Sequence, residues 1–169
     1  MQPQAALGLS VVFSFLAWGH VMGRYGWPAL RRMPPLLAWR AILSLHAFRF
    51  VGLSFIVPGV VSPELPLAFA RPDAYGDLGA AILALLALWA LPRTIGVTLT
   101  WAFNVWGTAD LLFAVYNGNH NGLAAGQLGA TFFIITLIVP LLLITHVVMF
   151  ALLLRREPRT QLFGSLNVT

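Results

Sequence analysis

Residues 130–156 read ATFFIITLIVPLLLITHVVMFALLLRR, and no side chain before Arg155 carries a formal charge. A helix needs about 20 mainly apolar residues to cross the hydrocarbon of a bilayer, and this stretch supplies them without interruption. The rest of the chain agrees with that reading. Of its 169 residues, 59% are hydrophobic and only 9% are charged, with a mean hydropathy of +0.84. A soluble domain carries about 25% charged residues, so a water-facing surface for this chain is out of reach. The composition therefore predicts an all-α integral membrane protein.

Five spanning helices are expected, at about 4–23, 35–57, 73–91, 95–117 and 129–154. Together they form one bundle over 1–156, followed by a polar cytoplasmic tail at 157–169. The third helix has the shortest clean apolar run, Leu78 to Leu91. It reaches spanning length by starting at Pro72-Asp73, which suits proline in a first helical turn and a carboxylate near an N-terminus. A four-span chain with a re-entrant third segment is the alternative.

The loops orient the bundle. Arg24, Arg31 and Arg32 follow the first helix, Arg93 follows the third, and Arg155, Arg156 and Arg159 follow the fifth. The intervening loops are neutral or acidic. The cytoplasmic excess of arginine then puts the N-terminus outside and the C-terminus inside. The same rule accounts for the net charge of +5 without a nucleic-acid partner. The chain has no cysteine, which excludes disulfides and thiolate metal sites.

Charge inside the helices is the functional clue. Within LSLHAFRFVGLSF, residues 43–55, His46 and Arg49 lie roughly 15 and 20 Å from the cytoplasmic end at 1.5 Å per residue. Helical spacing puts Ile42, His46, Arg49 and Leu53 on one face. An arginine at that depth costs about 3 kcal/mol on insertion scales and calls for a partner. The fourth helix offers one: Asn104, Gly107, Asp110, Ala114 and Asn117 recur every three or four residues, with a small-residue seam for close helix approach. Asp110 lies at the depth of Arg49, so a buried Arg49–Asp110 ion pair is expected. Asp110 is also the one carboxylate well inside an apolar run, and no second core carboxylate is expected to pair with it. Asp77, one turn inside the third helix, is expected to cap that region or to face the cavity. Pro140 is expected to kink the fifth helix and free the carbonyl of Thr136. His46 and His146 share a depth and form a candidate pair of axial ligands for haem b.

Three short patterns, Phe48-Arg49-x-x-Gly52, Leu65-Pro66-x-x-Phe69-Ala70-x-Pro72 with Gly76-Asp77, and Asn104-x-x-Gly107-x-x-Asp110-Leu111, resemble a family of small uncharacterised bacterial membrane proteins. The resemblance spans roughly residues 48–111. It implies the bacterial inner membrane and supports these polar positions as a set, without implying an activity. No nucleotide-binding loop or HExxH motif is present, and no catalytic signature stands out.

The leading functional expectation is binding or passage of a small or amphipathic ligand. Arg49, Asp110, Asn104, His46 and Gly107 would form the site, Arg49 would take an anionic or strongly polar head group, and the apolar segment 63–70 would serve as an outer lid. No cofactor is expected on this reading. A structural or accessory subunit, as a homodimer or beside a partner membrane subunit, is the second reading. A b-type cytochrome using His46 and His146 is the third.

The topology is directly testable. Single cysteines introduced at Gly122 and Gln161 are expected to react with a membrane-impermeant thiol reagent from opposite sides. Labelling of both from the same side contradicts the five-span arrangement.

Overall fold

The computed structural model describes residues 2–155; the expected tail at 157–169 lies outside the described residues. Five long helices follow one another: α1 Pro3–Arg32, α2 Pro35–Ile56, α3 Leu67–Ala90, α4 Thr94–His120 and α5 Gly129–Leu153. Among the described residues the only β pairing is an isolated bridge between Pro58 and Val61. α1, α2, α3 and α5 are long and apolar enough to cross a membrane. α4 has the length, at 27 residues, but Thr100, Asn104, Thr108, Asp110 and Asn117 reduce its apolar content.

Proline accounts for departures from regular or expected geometry in α1, α3 and α5, and α2 also changes its helical period. The stretch with Arg24, Arg31 and Arg32 is helical rather than a loop. A π turn at Met22–Gly26 joins Pro3–Val21 to Trp27–Arg32, leaving only Met33 and Pro34 as the connection. The same device recurs in α5, where a π turn at Ile134–Ile138 precedes the segment Val139–Leu153. In both, a proline (Pro28 or Pro140) follows two residues after the widened turn. Proline lacks an N–H and its ring crowds the carbonyl four residues back; a π turn shifts the hydrogen-bond register there and gives the ring room.

α3 begins at Leu67, six residues before the expected start, and runs through Pro72. The missing N–H of Pro72 leaves the Ala68 carbonyl without its helical donor, and Asn117 Nδ2 donates to that oxygen at 3.0 Å. The second half of the expected lid is therefore helix. Leu65 and Phe69 are buried, at 5% and 2% exposure, and Phe69 meets Phe55 edge-on with ring centroids 5.7 Å apart.

α2 changes period halfway. It is α-helical over Pro35–His46 and 3-10 over Ala47–Ile56. A 3-10 helix has three residues per turn, so Arg49, Gly52 and Phe55 line up on one buried face. Ile42 and His46 are buried as expected, whereas Leu53 is rotated away and only half-buried.

Two apolar clusters close the ends of the bundle. Trp39, Leu43, Phe103, Met149 and Leu152 pack at the end carrying Arg31, Arg32 and Arg155. Phe55, Leu65, Phe69, Ala74 and Leu128 pack at the other end. α3 turns Ala80, Ala84 and Ala87 inward, none exposed, the last two within the first cluster, so the helix packs closely on its neighbours. α1 sits at the edge, packed chiefly on α5 and the turn at Ala125–Gln127.

The start of α5 is held by Ala130, whose N–H donates to the Val60 carbonyl at 2.9 Å. Gly129 has φ of 53° there, and a Cβ on it would strike that same carbonyl. A side chain in this left-handed conformation costs about 1–3 kcal/mol. Gly129→Ala is expected to lower stability by at least about 1 kcal/mol in detergent-based unfolding. Gly126→Ala, where a Cβ meets nothing within 4 Å, serves as the control. Equal stability of both variants contradicts this account of the α5 start.

Candidate functional site

The centre of the bundle is the guanidinium of Arg49, 2% exposed. Its Nε donates to Asp77 Oδ1 at 2.8 Å. Its Nη2 lies 2.6 Å from both Asp77 Oδ1 and Asp110 Oδ2. Its Nη1 donates to the Gly107 carbonyl at 3.3 Å and to His146 Nε2 at 3.2 Å. A guanidinium has five N–H donors, and four hydrogen bonds engage all three of its nitrogens here. α2, α3, α4 and α5 thus converge on one side chain.

The expected Arg49–Asp110 contact is present, but Arg49 is shared. Asp77, 8% exposed, is a second carboxylate on the same fork, and Asp73 lies one turn before it, 5% exposed. The expectation of a single core carboxylate fails because α3 starts early and carries both aspartates inward.

Glycine makes this convergence possible. A Cβ on Gly52 would overlap the Asp77 carboxylate, and one on Gly76 would overlap that of Asp110. One on Gly107 would press on both His146 and Arg49. The three sequence patterns therefore contribute the same pair of parts: a charged group (Arg49, Asp77, Asp110) and a glycine (Gly52, Gly76, Gly107) that leaves room for another's side chain.

Behind Arg49 lies a second polar layer. Asn104 is fully buried; its Nδ2 donates to the His146 carbonyl at 3.3 Å, and its Oδ1 is 2.7 Å from His146 Nδ1. Since His146 Nε2 accepts from Arg49, the ring proton belongs on Nδ1, where it is donated to Asn104. His46 points its Nε2 at Thr145 Oγ1, 2.9 Å away. The Thr145 hydroxyl donates to the carbonyls of Leu141 and Leu142, so His46 is the donor in that contact. His46 Nδ1 has no hydrogen-bond partner among the described residues.

This arrangement does not fit the haem expectation. The rings of His46 and His146 have centroids 4.3 Å apart, and Phe103 packs against both. Axial ligands must stand on opposite faces of a porphyrin, each about 2 Å from the metal, and no such plane separates these rings. Three of their four nitrogens are also engaged by protein groups. Among the described residues there is no grouping of three or more His, Cys, Asp or Glu that could hold a metal ion.

Arg49 is equally unable to receive an anionic head group, because its fork is filled by the chain's own carboxylates. The open space lies on their other side. A cavity of about 400 Å³ is lined by α1, α3, α4 and α5. Leu7, Val11 and Phe15 of α1 and Val139, Pro140 and Leu143 of α5 give it apolar walls. Asp73, Asp77 and Asp110 supply its charged wall, and Gln4 and Asn119 lie toward the Gly122 end. Asp73 Oδ1 has no hydrogen-bond partner among the described residues.

The fold and site define an all-helical protein with a buried ionic cluster between helices, four of which are able to cross a membrane. The chain belongs to the DUF8737 family, a domain of unknown function, whose match covers residues 6–154 and so the whole Arg49 cluster. No curated protein and no solved structure matches the chain.

The shared fork predicts an asymmetric response to mutation. Arg49→Leu leaves two adjoining carboxylates without a counter-charge and is expected to cost about 3–5 kcal/mol. Asp77→Asn or Asp110→Asn alone keeps one anion on the guanidinium and is expected to cost only about 1–2 kcal/mol. The double change strands the arginine and is expected to cost more than the sum of the single ones. Unfolding in detergent measures all four variants; additive aspartate losses contradict a shared fork.

Proposed function

We propose that this chain is a multi-pass protein of the bacterial inner membrane, N-terminus outside, whose cavity binds an amphipathic molecule with a cationic head. The observation that carries this reading is charge imbalance. One guanidinium faces two carboxylates, a third carboxylate stands beside them, and among the described residues no basic side chain lines the cavity. Charge in an apolar setting is costly unless it is paired. An ammonium on the cavity side supplies the missing positive charge and gives Asp73 Oδ1 its donor. The apolar walls from α1 and α5 then accommodate the remainder of the ligand. The sequence expectation of an amphipathic ligand is kept, but the sign of its head group is reversed.

A structural or accessory role is the second reading, and the saturation of Arg49 favours it. A guanidinium with all three nitrogens engaged sets the register of four helices whether or not anything binds nearby. The exposed apolar side chains Leu9, Val12, Phe13 and Leu16 of α1 provide a face for lipid or for a partner subunit.

Decylamine, decanol and decanoate separate the two readings when titrated into purified protein in lipid nanodiscs. Thermal stability is read against each variant's own unliganded value. Decylamine is expected to stabilise the wild type, and Asp73→Asn to weaken its apparent affinity about tenfold, the worth of one charge-assisted hydrogen bond. Equal stabilisation by decanol, unchanged in Asp73→Asn, contradicts the cationic head while leaving the cavity a binding site. No stabilisation by any of the three overturns the binding reading in favour of the structural one.

A further inference from the structure

A second cavity, of about 390 Å³, opens at the opposite end of the bundle from Glu64 and Gly122. The end of α1, the start of α2 and the end of α5 enclose it, and Arg31, Arg32, Arg155 and Trp39 supply its polar side chains. Its inner wall is apolar, formed by Leu30, Ala38 and Leu152.

Two of the guanidiniums are pre-positioned. Arg31 lies 5.6 Å and Arg155 5.2 Å from the ring centroid of Trp27. The indole attracts both cations and so fixes where each guanidinium sits. Trp39 adds an independent signal. It is only 4% exposed, and its Nε1 has no hydrogen-bond partner among the described residues. A buried indole N–H without an acceptor is a cost that native structures rarely leave unmet.

All four polar side chains of this wall share one property. Guanidinium and indole groups donate hydrogen bonds and accept none. Pro34 and Pro35, which also line the cavity, contribute no N–H of their own. The site therefore offers positive charge and several convergent donors, and it needs an occupant with negative charge and several acceptors. A phosphate group has both, and the planar fork of arginine suits its geometry.

We propose that this basic cavity binds a phosphate group, supplied by the head of an anionic phospholipid or by free phosphate. The apolar inner wall and the exposed Met33 and Leu37 beside it offer contact for acyl chains. Basic pockets between helices at a membrane face commonly receive lipid phosphates. This site is separate from the acidic cavity, and its occupancy does not depend on what that cavity binds.

Native mass spectrometry of protein released from nanodiscs of mixed phosphatidylcholine and phosphatidylglycerol tests the proposal. The wild type is expected to retain phosphatidylglycerol over phosphatidylcholine by about tenfold. The double variant Arg31→Gln with Arg32→Gln, at exposed positions that the core does not need, is expected to lose that preference. Trp39→Phe, which removes the N–H and keeps an aromatic ring, is expected to reduce it. Arg40→Gln is the control, since Arg40 lies outside the cavity and donates to the Leu91 carbonyl. Displacement of the retained lipid by inorganic phosphate at constant ionic strength, with chloride as the comparison salt, identifies free phosphate as a source. Lack of displacement identifies the lipid. Equal retention of both lipids with no stabilisation by inorganic phosphate overturns the proposal, as does a phosphatidylglycerol preference unchanged in both the arginine double variant and Trp39→Phe.

Discussion

One buried guanidinium sets the arrangement of the bundle. Arg49 reaches carboxylates on α3 and α4, a carbonyl on α4 and an imidazole on α5, and all three of its guanidinium nitrogens are engaged. A buried ion pair is weak evidence for stability, because desolvation consumes much of the Coulombic gain. Its clearer consequence is positional. A slip or rotation of any one of these helices would leave a charge or a donor stranded in an apolar interior, so a single register satisfies the whole set.

That constraint propagates outward through glycine and proline. Gly52, Gly76 and Gly107 let side chains occupy space where a Cβ would stand. The 3-10 half of α2 aligns Arg49 with Gly52 and Phe55, bringing the charge and its neighbouring space onto one face. Pro72 frees the Ala68 carbonyl, and Asn117 answers it, fastening the first turns of α3 to α4. With Arg49 committed inward, the surplus of negative charge faces the cavity beside α1. The proposed cationic head group rests on that surplus.

Much of this was legible in the sequence. The apolar runs located five helices, since hydropathy reports length and composition directly. Matching depth brought Arg49 and Asp110 together, because helical rise is nearly constant. The sharing of the fork was not legible, since it depends on where α3 begins. Pro72 and Asp73 look like a helix start, and the interactions that carry the helix past Pro72 are tertiary. Gly76-Asp77 in the second pattern was the available signal, a glycine beside a carboxylate as in the other two. The change of α2 to three residues per turn has no local marker in AFRFVGLSFI, so Leu53 was assigned to a face it does not occupy. His46 and His146 do share a depth, but depth alone does not distinguish two rings in contact from two rings separated by a cofactor.

A density map of the protein in a lipid nanodisc, at a resolution that separates side chains, tests the central claim most directly. The account predicts a guanidinium at Arg49 bonded to both Asp77 and Asp110. It also predicts elongated density in the cleft beside α1 that ends at Asp73. An Arg49 side chain detached from either carboxylate, with ligand density ending on its fork, would contradict it.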